Sequence, residues 1–351
     1  MIDIYPKYYK LFGCLGGDCS HTCCQGWGVD IDKNTLLRYK NVLGPYGAKL
    51  KHIISNHKQF FKVGNTCPFL TKEGLCDIQI HLGEGYLCDV CKKFPRFLYT
   101  YGEYVEHGLS NACIEASKLL LTNGLQFDVV KSPAPVETYN HFDSKLLPHL
   151  RDAREYVYKV TDTLDINRVF ALILDFGEYF QANFRVYSKI DDILSKYKDR
   201  VGGYTTKFTD IIDEKKVIKL IKTYMGLEMI TPYISNKLDR VLSLIYNHRI
   251  TMSDIVGIME KYRKSVEFNY ILKNFVYKYY LRSVYDYKMY ARLKMCVYTT
   301  FIAILLAVDD MYTGGKFDTM DNAKNLEMIA REIEHNEDNI KKLTKYFNKK
   351  V

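Results

Sequence analysis

Apolar residues recur at helical spacing through most of the chain beyond residue 160. Val169, Phe170, Ile173 and Phe176 fall on one face of a helix, and the same spacing returns in five later segments. Those segments are residues 217–225, 241–245, 270–290, 294–308 and 323–334. Strand-like alternation of apolar and polar residues is rare. The pattern predicts a mostly α-helical region in this part of the chain.

The first 130 residues have a different character. They contain nine of the ten cysteines and most of the 21 glycines, whereas the tenth cysteine, Cys296, lies in an apolar helical pattern. Two prolines interrupt the chain at residues 131–135, where a join is expected. We therefore predict a mostly α protein in which a loop-rich, metal-binding cysteine region (residues 1–130) packs on a helical bundle (residues 131–351).

Composition and charge narrow the class of protein. Hydrophobic residues make up 47% and charged residues 26%, as in ordinary globular proteins, and the net charge of +9 is too weak to indicate a nucleic-acid partner. The longest uncharged apolar stretch, residues 295–308, is too short to span a bilayer, and residues 1–10 lack the apolar core of a signal peptide. We expect a cytoplasmic protein without a membrane segment. The sequence does not indicate an oligomeric state.

The nine N-terminal cysteines form clusters that are typical of metal sites. Residues 14–27 read CLGGDCSHTCCQGW, residues 67–76 read CPFLTKEGLC, and residues 88–96 read CDVCKKFPR. A CxxC pair places two sulfurs within reach of one metal, and separate clusters can complete its coordination. The spacing alone is compatible with an iron–sulfur cluster, a closed zinc site or unliganded buried thiols. A reduced compartment disfavours disulfides.

Several familiar signatures are missing from the sequence. There is no glycine-rich turn of the GxGxG kind, no P-loop, and no GxSxG or HExxH motif. The CxxxCxxC motif of radical S-adenosylmethionine enzymes is not met either, because Cys24 directly follows Cys23. His21 could replace a thiolate, although a position beside the metal is the simpler interpretation.

Three stretches resemble the flagellin lysine-N-methylase family: residues 14–32, residues 67–96 and residues 109–121. The cysteine part is also similar to a broader class of short cysteine-cluster proteins that share CC, CxFL, CxI and CxxFP. The resemblance covers about the first 120 residues, with a weaker likeness at residues 267–280. One departure is Ile114, where the family has proline.

This resemblance implies an N-methyltransferase that acts on lysine side chains of flagellin, with S-adenosylmethionine as methyl donor and a [4Fe–4S] cluster. Spacing and resemblance together predict one cluster whose ligands are drawn from seven cysteines: Cys19, Cys23, Cys24, Cys67, Cys76, Cys88 and Cys91. Cys14 and Cys113 are outer candidates. The alternatives are a zinc- or iron-binding structural protein without catalysis and an iron–sulfur enzyme with another donor-dependent reaction.

Other residues near the cysteines have both a functional and a structural interpretation. Arg96 could bind the carboxylate of the donor through its bidentate fork, or form a structural salt bridge. Trp27 could stack on the adenine of the donor or shield the cluster from water. Asp30 and Asp32 could receive a lysine side chain, or cap the helix that follows. Without a glycine-rich nucleotide loop, we expect the donor beside the cluster, at the interface with the helical region.

Overall fold

The computed structural model describes residues 1–54, 60, 66–132, 141–261 and 266–349. About two thirds of the chain is helical, which confirms the mostly α prediction. The prolines expected at the join lie in residues 133–140, outside the described residues.

The N-terminal part contains short helices, and the later helices are longer. Up to residue 132 the α-helices are α1 (Lys33–Asn41), α2 (Gly44–Ile53), α3 (Asp77–Leu82), α4 (Asp89–Lys93) and α5 (Ile114–Asn123). The later ones are α6 (Leu146–Thr163), α7 (Ile166–Asn183), α8 (Ile190–Arg200), α9 (Phe208–Ile211), α10 (Glu214–Met225), α11 (Tyr233–Tyr246), α12 (Met252–Lys261), α13 (Glu267–Tyr279), α14 (Met289–Gly314), α15 (Thr319–Glu334) and α16 (Glu337–Asn348). Short 3-10 helices occupy Lys7–Leu11, Gly16–Asp18, Glu84–Tyr86, Tyr187–Lys189, Val201–Gly203 and Tyr280–Val284.

A small sheet in the N-terminal part has four strands in the order β2-β3-β1-β4. The strands are β1 (Ile2–Pro6), β2 (Arg96–Tyr101), β3 (Tyr104–Leu109) and β4 (Phe127–Lys131). β1 runs parallel to β3 and antiparallel to β4, and β2 and β3 form an antiparallel hairpin. Gly102 has φ 65° at the hairpin turn, a conformation that favours glycine. With strands of only five or six residues, strand content stays well below a quarter of the chain, as expected.

The main core surrounds helix α14. From Met289 to Asp309 almost every α14 side chain is buried against α7, α11, α13, α15 and α16. This helix is the one segment in the described residues that is long and apolar enough to cross a membrane by length and composition, but 94% of its most apolar window is buried inside the protein. Such burial is typical of a core helix.

A second, smaller hydrophobic core lies in the cysteine-rich part; we call it the lobe core. It is built around Val29, Tyr39, Leu50, Phe69 and Ile78, and it is separate from the main core. The sheet belongs to the main core instead, because residues such as Ile4 and Leu109 pack with the long helices. The residues of the N-terminal region therefore pack into two separate cores, whereas the sequence analysis predicted a single cysteine region. The domain boundary at residue 131 remains a prediction.

Most predicted helices are found where the apolar periodicity placed them. The segment 169–176 lies in α7, 217–225 in α10, 241–245 in α11, 294–308 in α14 and 323–334 in α15. The prediction of a single helix over residues 270–290 is wrong. α13 ends at Tyr279, a 3-10 helix follows, and the chain turns before Met289, with Tyr287 at φ 58°.

Candidate metal centre and adjoining groove

All nine N-terminal cysteines line one cavity, which we call the cysteine cavity. Its volume is about 330 Å³, which lies in the usual range for small-molecule sites. Its walls carry Cys14, Cys19, Cys23, Cys24, Cys67, Cys76, Cys88, Cys91 and Cys113. The seven predicted ligands therefore share this cavity with the two outer candidates, and Cys296 is buried elsewhere, in α14, as predicted.

The cavity lies between the two hydrophobic cores. Cys88 belongs to the lobe core, and Cys67 and Cys76 pack against it. Cys19 and Cys113 pack against the main core on the other side. A metal held by thiols from both sides would therefore connect the lobe to the body of the protein.

Several of these thiols are positioned at the N-termini of helices. Cys76, Cys88 and Cys113 are the N-cap residues of α3, α4 and α5. Burial raises the pKa of Cys76, and the amides of Gln79 and Ile78 in the first turn of α3 oppose this rise. Helix N-termini favour negative charge, so these positions are suited to thiolates.

Two pairs of neighbouring thiols polarise each other. The Cys23 thiol lowers the pKa of Cys24 by hydrogen bonding to it, and Cys91 acts in the same way on Cys88. The Tyr39 hydroxyl also lies 3.6 Å from the Cys88 sulfur. Cys24 and Cys88 are therefore the thiols that ionise most readily, and a thiolate is the form that binds metal.

The chemistry of the cavity fits a thiolate-bound metal, but the ligands are not fully assembled. In the described part of the chain, no three His, Cys, Asp or Glu side chains stand close enough together to hold a metal ion. Burial raises the pKa of Cys67 to about 12, so this thiol carries a proton at neutral pH. Metal binding would have to displace such protons and draw the sulfurs together, which couples the site to local folding. The seven-residue ligand set remains a prediction.

His21 lies at the edge of this cavity and is bound to the helical region. Its Nδ1 is 2.6 Å from Oε2 of Glu327 on α15, a glutamate with no exposed surface. Arg331 pairs with the same carboxylate at 3.0 Å and donates to the His21 carbonyl oxygen. Burial raises the pKa of Glu327 to about 7. The local sequence around the cysteines gave no signal for this contact, which joins residues 306 positions apart.

A second cavity adjoins the first; we call it the interface groove. It is also about 330 Å³ in volume and lies between the cysteine-rich part and helices α13, α15 and α16. Trp27, Phe94, Pro95 and Arg96 line both cavities. The sequence predicted a binding site at this interface, and the groove is a cavity of suitable size there.

Trp27 forms the wall between the cavities. Its ring stacks on His335 with 4.2 Å between ring centroids, and its Nε1 donates to the Cys23 carbonyl oxygen. Gly26 precedes it at φ 93°, where a Cβ would lie 2.6 Å from Ile230, so only glycine fits. His335 is neutral near pH 7, because burial lowers its pKa to about 4. Trp27 thus shields the thiols, and its ring is stacked on His335, which lines the interface groove.

Arg96 is exposed at the start of β2 and faces both cavities. Its guanidinium lies 5.0 Å from the Phe12 ring and 5.7 Å from the Tyr9 ring. No carboxylate in the described residues forms a salt bridge with Arg96, whereas Arg282 across the groove lies 3.3 Å from Glu337. The structural salt bridge considered for Arg96 is therefore not seen among these residues.

Asp32, the second aspartate after the first cluster, has the structural role. Asp32 is the N-cap of α1: its Oδ1 accepts the Thr35 amide at 2.9 Å, and its Oδ2 accepts the Asp89 amide at 2.9 Å. These amides overcome the effect of burial and lower the pKa of Asp32 to about 2. Asp32 thus links α1 to α4, next to Cys88.

Comparison with known proteins identifies the family. The model of the FliB lysine N-methylase C-terminal domain matches residues 160–351, more than half of the chain. The chain belongs to the FliB lysine N-methylase family. This confirms the resemblance seen in the cysteine clusters, and it extends family membership to the helical region, where the sequence showed only a weak likeness.

Curated relatives come from Salmonella. The chain is 31% identical over 131 residues to the flagellar biosynthetic protein FliU of Salmonella muenchen, a match to 34% of this chain and 76% of that protein. It is 30% identical over 131 residues to the lysine-N-methylases of Salmonella typhimurium and Salmonella choleraesuis, covering 34% of this chain and 32% of each. The match thus spans about a third of these two enzymes. No solved structure matches the chain.

Proposed function

We propose that this FliB-family protein is a protein-lysine N-methyltransferase that modifies flagellin, with S-adenosylmethionine as methyl donor and a [4Fe–4S] cluster. The observation that carries the proposal is the single cavity lined by nine cysteines in a chain of a lysine N-methylase family. The name of the relative FliU supports a flagellar substrate. A cytoplasmic location would keep these thiols reduced.

The cluster ligands would be thiolates of the seven cysteines named from the sequence: Cys19, Cys23, Cys24, Cys67, Cys76, Cys88 and Cys91. Among these, Cys24 and Cys88 have lowered pKa values, which favours the thiolate form that binds metal. When bound with three thiolates, a [4Fe–4S] cluster would leave one iron open to the amine and carboxylate of the methyl donor. The first turns of α3 and α4 favour negative charge at Cys76 and Cys88.

The interface groove is the seat that we propose for the donor. It shares a wall with the cysteine cavity, and an adenine would stack on Trp27 in the place that His335 takes in this structure. Arg96 faces both cavities with no carboxylate partner among the described residues, so its fork is available for the carboxylate of the donor. This assignment follows from position, since the chain has no glycine-rich nucleotide loop.

The acceptor lysine has to lose its proton before it can take a methyl group. A free lysine has a pKa near 10.4, and transfer into a desolvated, aromatic environment lowers that value. Trp27, Phe94 and Tyr99 supply such an environment in the groove. These side chains would also exclude water from the transfer step.

The direct test is intact-mass analysis of purified flagellin after anaerobic incubation with this protein and S-adenosylmethionine. We expect the flagellin mass to rise in steps of one methylene, and the modified residues to map to lysines. Omission of the donor is the control. No mass change with metal-loaded protein and donor would contradict the proposed function.

Donor binding is expected to depend on both the cluster and Arg96. We expect the metal-loaded protein to bind S-adenosylmethionine at least tenfold more tightly than the cluster-free protein in equilibrium dialysis. Arg96→Gln should weaken binding by about tenfold, the loss expected for one charge-assisted contact of about 1.4 kcal/mol. The matched control is Arg168→Gln, which removes an arginine of α7 that pairs with the N-cap residue Asp165. Equal affinity with and without the cluster, in protein that remains folded, would show that the metal is structural.

A structural metal protein without catalysis is the second candidate. The position of the thiols between the lobe core and the main core favours it, because a metal there would hold the two together. The colour of anaerobically purified protein separates the two candidates. A [4Fe–4S] protein is brown, whereas a protein that holds only zinc at full occupancy is colourless.

A further inference from the structure

Glu334 is a carboxylate of the interface groove that the proposed seat of the donor does not use. It is the last residue of α15, and its side chain is 12% exposed. Among the described residues, the other carboxylate that lines the groove is Glu337, which is 61% exposed and pairs with Arg282 at 3.3 Å. Arg96 lines both cavities, whereas Glu334 lines the groove alone. The groove thus has an arginine at the wall shared with the cysteine cavity and a largely buried carboxylate that is not part of that wall.

Two hydrogen-bond donors hold the Glu334 carboxylate in place. Lys278 Nζ on α13 donates to Oε1 at 2.7 Å, and the Ser110 hydroxyl donates to Oε2 at 2.5 Å. Both donors are themselves fixed, because Lys278 also donates to Asn111 Oδ1 at 2.6 Å and the Ser110 oxygen accepts the Ala112 amide at 3.2 Å. An ionised carboxylate has about four lone-pair sites. Glu334 can therefore accept a further donor from the groove without losing its supports.

Lys278 lies behind this carboxylate, in the protein interior. It is 1% exposed, and burial lowers its pKa because a buried ammonium loses its hydration. Its Nζ lies 5.4 Å from the centre of the Phe97 ring, on the side of Glu334 that belongs to α13. A cation that enters the groove would share Glu334 with Lys278. The two cations should therefore compete for one carboxylate, and a change at Lys278 should alter how tightly the groove binds a cation.

Aromatic side chains beside Glu334 suit the rest of an alkylammonium. Phe94, Phe97 and Tyr99 line the groove, and each is only partly buried. The Phe97 and Tyr99 ring centroids are 5.0 Å apart, and Trp27 lies 5.4 Å from Phe94. The stem of a lysine side chain is apolar, and aromatic faces attract ammonium groups and their methylated forms. Rings together with a fixed carboxylate are what recognition of a lysine side chain requires.

We propose that Glu334 determines the specificity of the groove for lysine: its carboxylate receives the ammonium of the acceptor side chain, whose stem lies along Phe94, Phe97 and Tyr99. This inference rests on the proposed function and names the acceptor side of the same site. The donor carboxylate goes to Arg96 and the acceptor ammonium to Glu334, so opposite charges keep the two reactants apart. Glu334 acts on the charged lysine that arrives from water, and proton loss follows as a later step.

Binding of a small cation tests this without any turnover. Trp27 is the only tryptophan of the chain and lines the groove, so its fluorescence reports on groove occupancy. The full-length, metal-loaded protein is titrated with n-butylammonium chloride, which reproduces the stem and charge of lysine, and with the neutral 1-butanol at matched ionic strength. We expect a saturable change in Trp27 emission with butylammonium alone. No saturable change with butylammonium, or an equal change with butanol, would overturn the proposal.

Three variants assign the binding to Glu334. Glu334→Gln should weaken butylammonium binding about tenfold, the loss expected for one charge-assisted contact. Glu337→Gln, the matched change at the exposed carboxylate, should alter it by less than about twofold. Lys278→Met removes the competing cation and should tighten binding, a result that a purely structural role of Glu334 would not produce. If Glu334→Gln does not fold, the double variant Glu334→Gln/Lys278→Met removes both charges and carries the same expected loss. Unchanged affinity without the Glu334 charge would overturn the proposal.

Kinetics with flagellin separate this inference from the proposed function. Glu334→Gln should raise the KM for flagellin about tenfold, while its affinity for S-adenosylmethionine in equilibrium dialysis stays within about twofold of wild type. Methylation by wild-type protein with an unchanged flagellin KM in Glu334→Gln would overturn the role of Glu334 and leave the proposed function intact. An absence of methylation by wild-type protein would contradict the proposed function, and the butylammonium titration would still decide whether Glu334 binds a lysine-like cation.

Discussion

Cys76→Ser and Cys91→Ser are each expected to abolish cluster binding and to lower the yield of soluble protein several-fold. Both residues line the cysteine cavity from the lobe side, and Cys76 is the N-cap of α3. Serine is itself a good N-cap residue, so α3 should keep its cap while the soft metal ligand is lost. Because metal binding supplies folding free energy, loss of a ligand should also destabilise the lobe. Iron and sulfide content and soluble yield are the measurements.

Cys296→Ala is the matched control for these two substitutions. Cys296 is 1% exposed on α14, where it packs in the main core. Its replacement removes one buried sulfur, so we expect a loss of about 1 kcal/mol in unfolding free energy and an unchanged metal content. Full iron content in either Cys76→Ser or Cys91→Ser would remove that residue from the predicted ligand set.

The helices could be predicted because their packing faces are encoded locally. α7, α10 and α15 each present apolar residues at helical spacing, and each lies where that spacing placed it. The turn between α13 and α14 could not be predicted in this way. Residues 280–288 contain no glycine or proline, and the chain leaves the helix there through contacts such as the Asp143 amide with the Val284 carbonyl oxygen.

The sheet escaped the sequence analysis because its pairings are distant in the chain. β1 pairs with β4, more than 120 residues away, and these short strands carry little alternation of their own. Strand formation depends on such neighbours more than on intrinsic preference. The same limit applied to the candidate site. Spacing grouped the cysteines, but only the fold shows that they divide between two cores and that His335 stacks on Trp27.

A buried ion pair joins this sheet to the helical region. Glu106 on β3 has no exposed surface, and Arg154 on α6 is 3% exposed. The Arg154 guanidinium donates to the Glu106 carboxylate and, at 3.1 Å, to the Tyr104 hydroxyl. A paired buried charge is tolerated, but a single buried charge left without its partner is very costly.

Arg154→Met is therefore expected to lower the unfolding free energy by about 3–5 kcal/mol, because it leaves the Glu106 carboxylate buried without a counter-ion. The double variant Glu106→Gln/Arg154→Met should recover a large part of this loss, since it removes both charges. Arg168→Met, which breaks a partly exposed pair with Asp165, should cost about 1 kcal/mol. Urea unfolding followed by circular dichroism measures all three. A double variant no more stable than Arg154→Met would show that packing of the arginine side chain, rather than its charge, holds the sheet on α6.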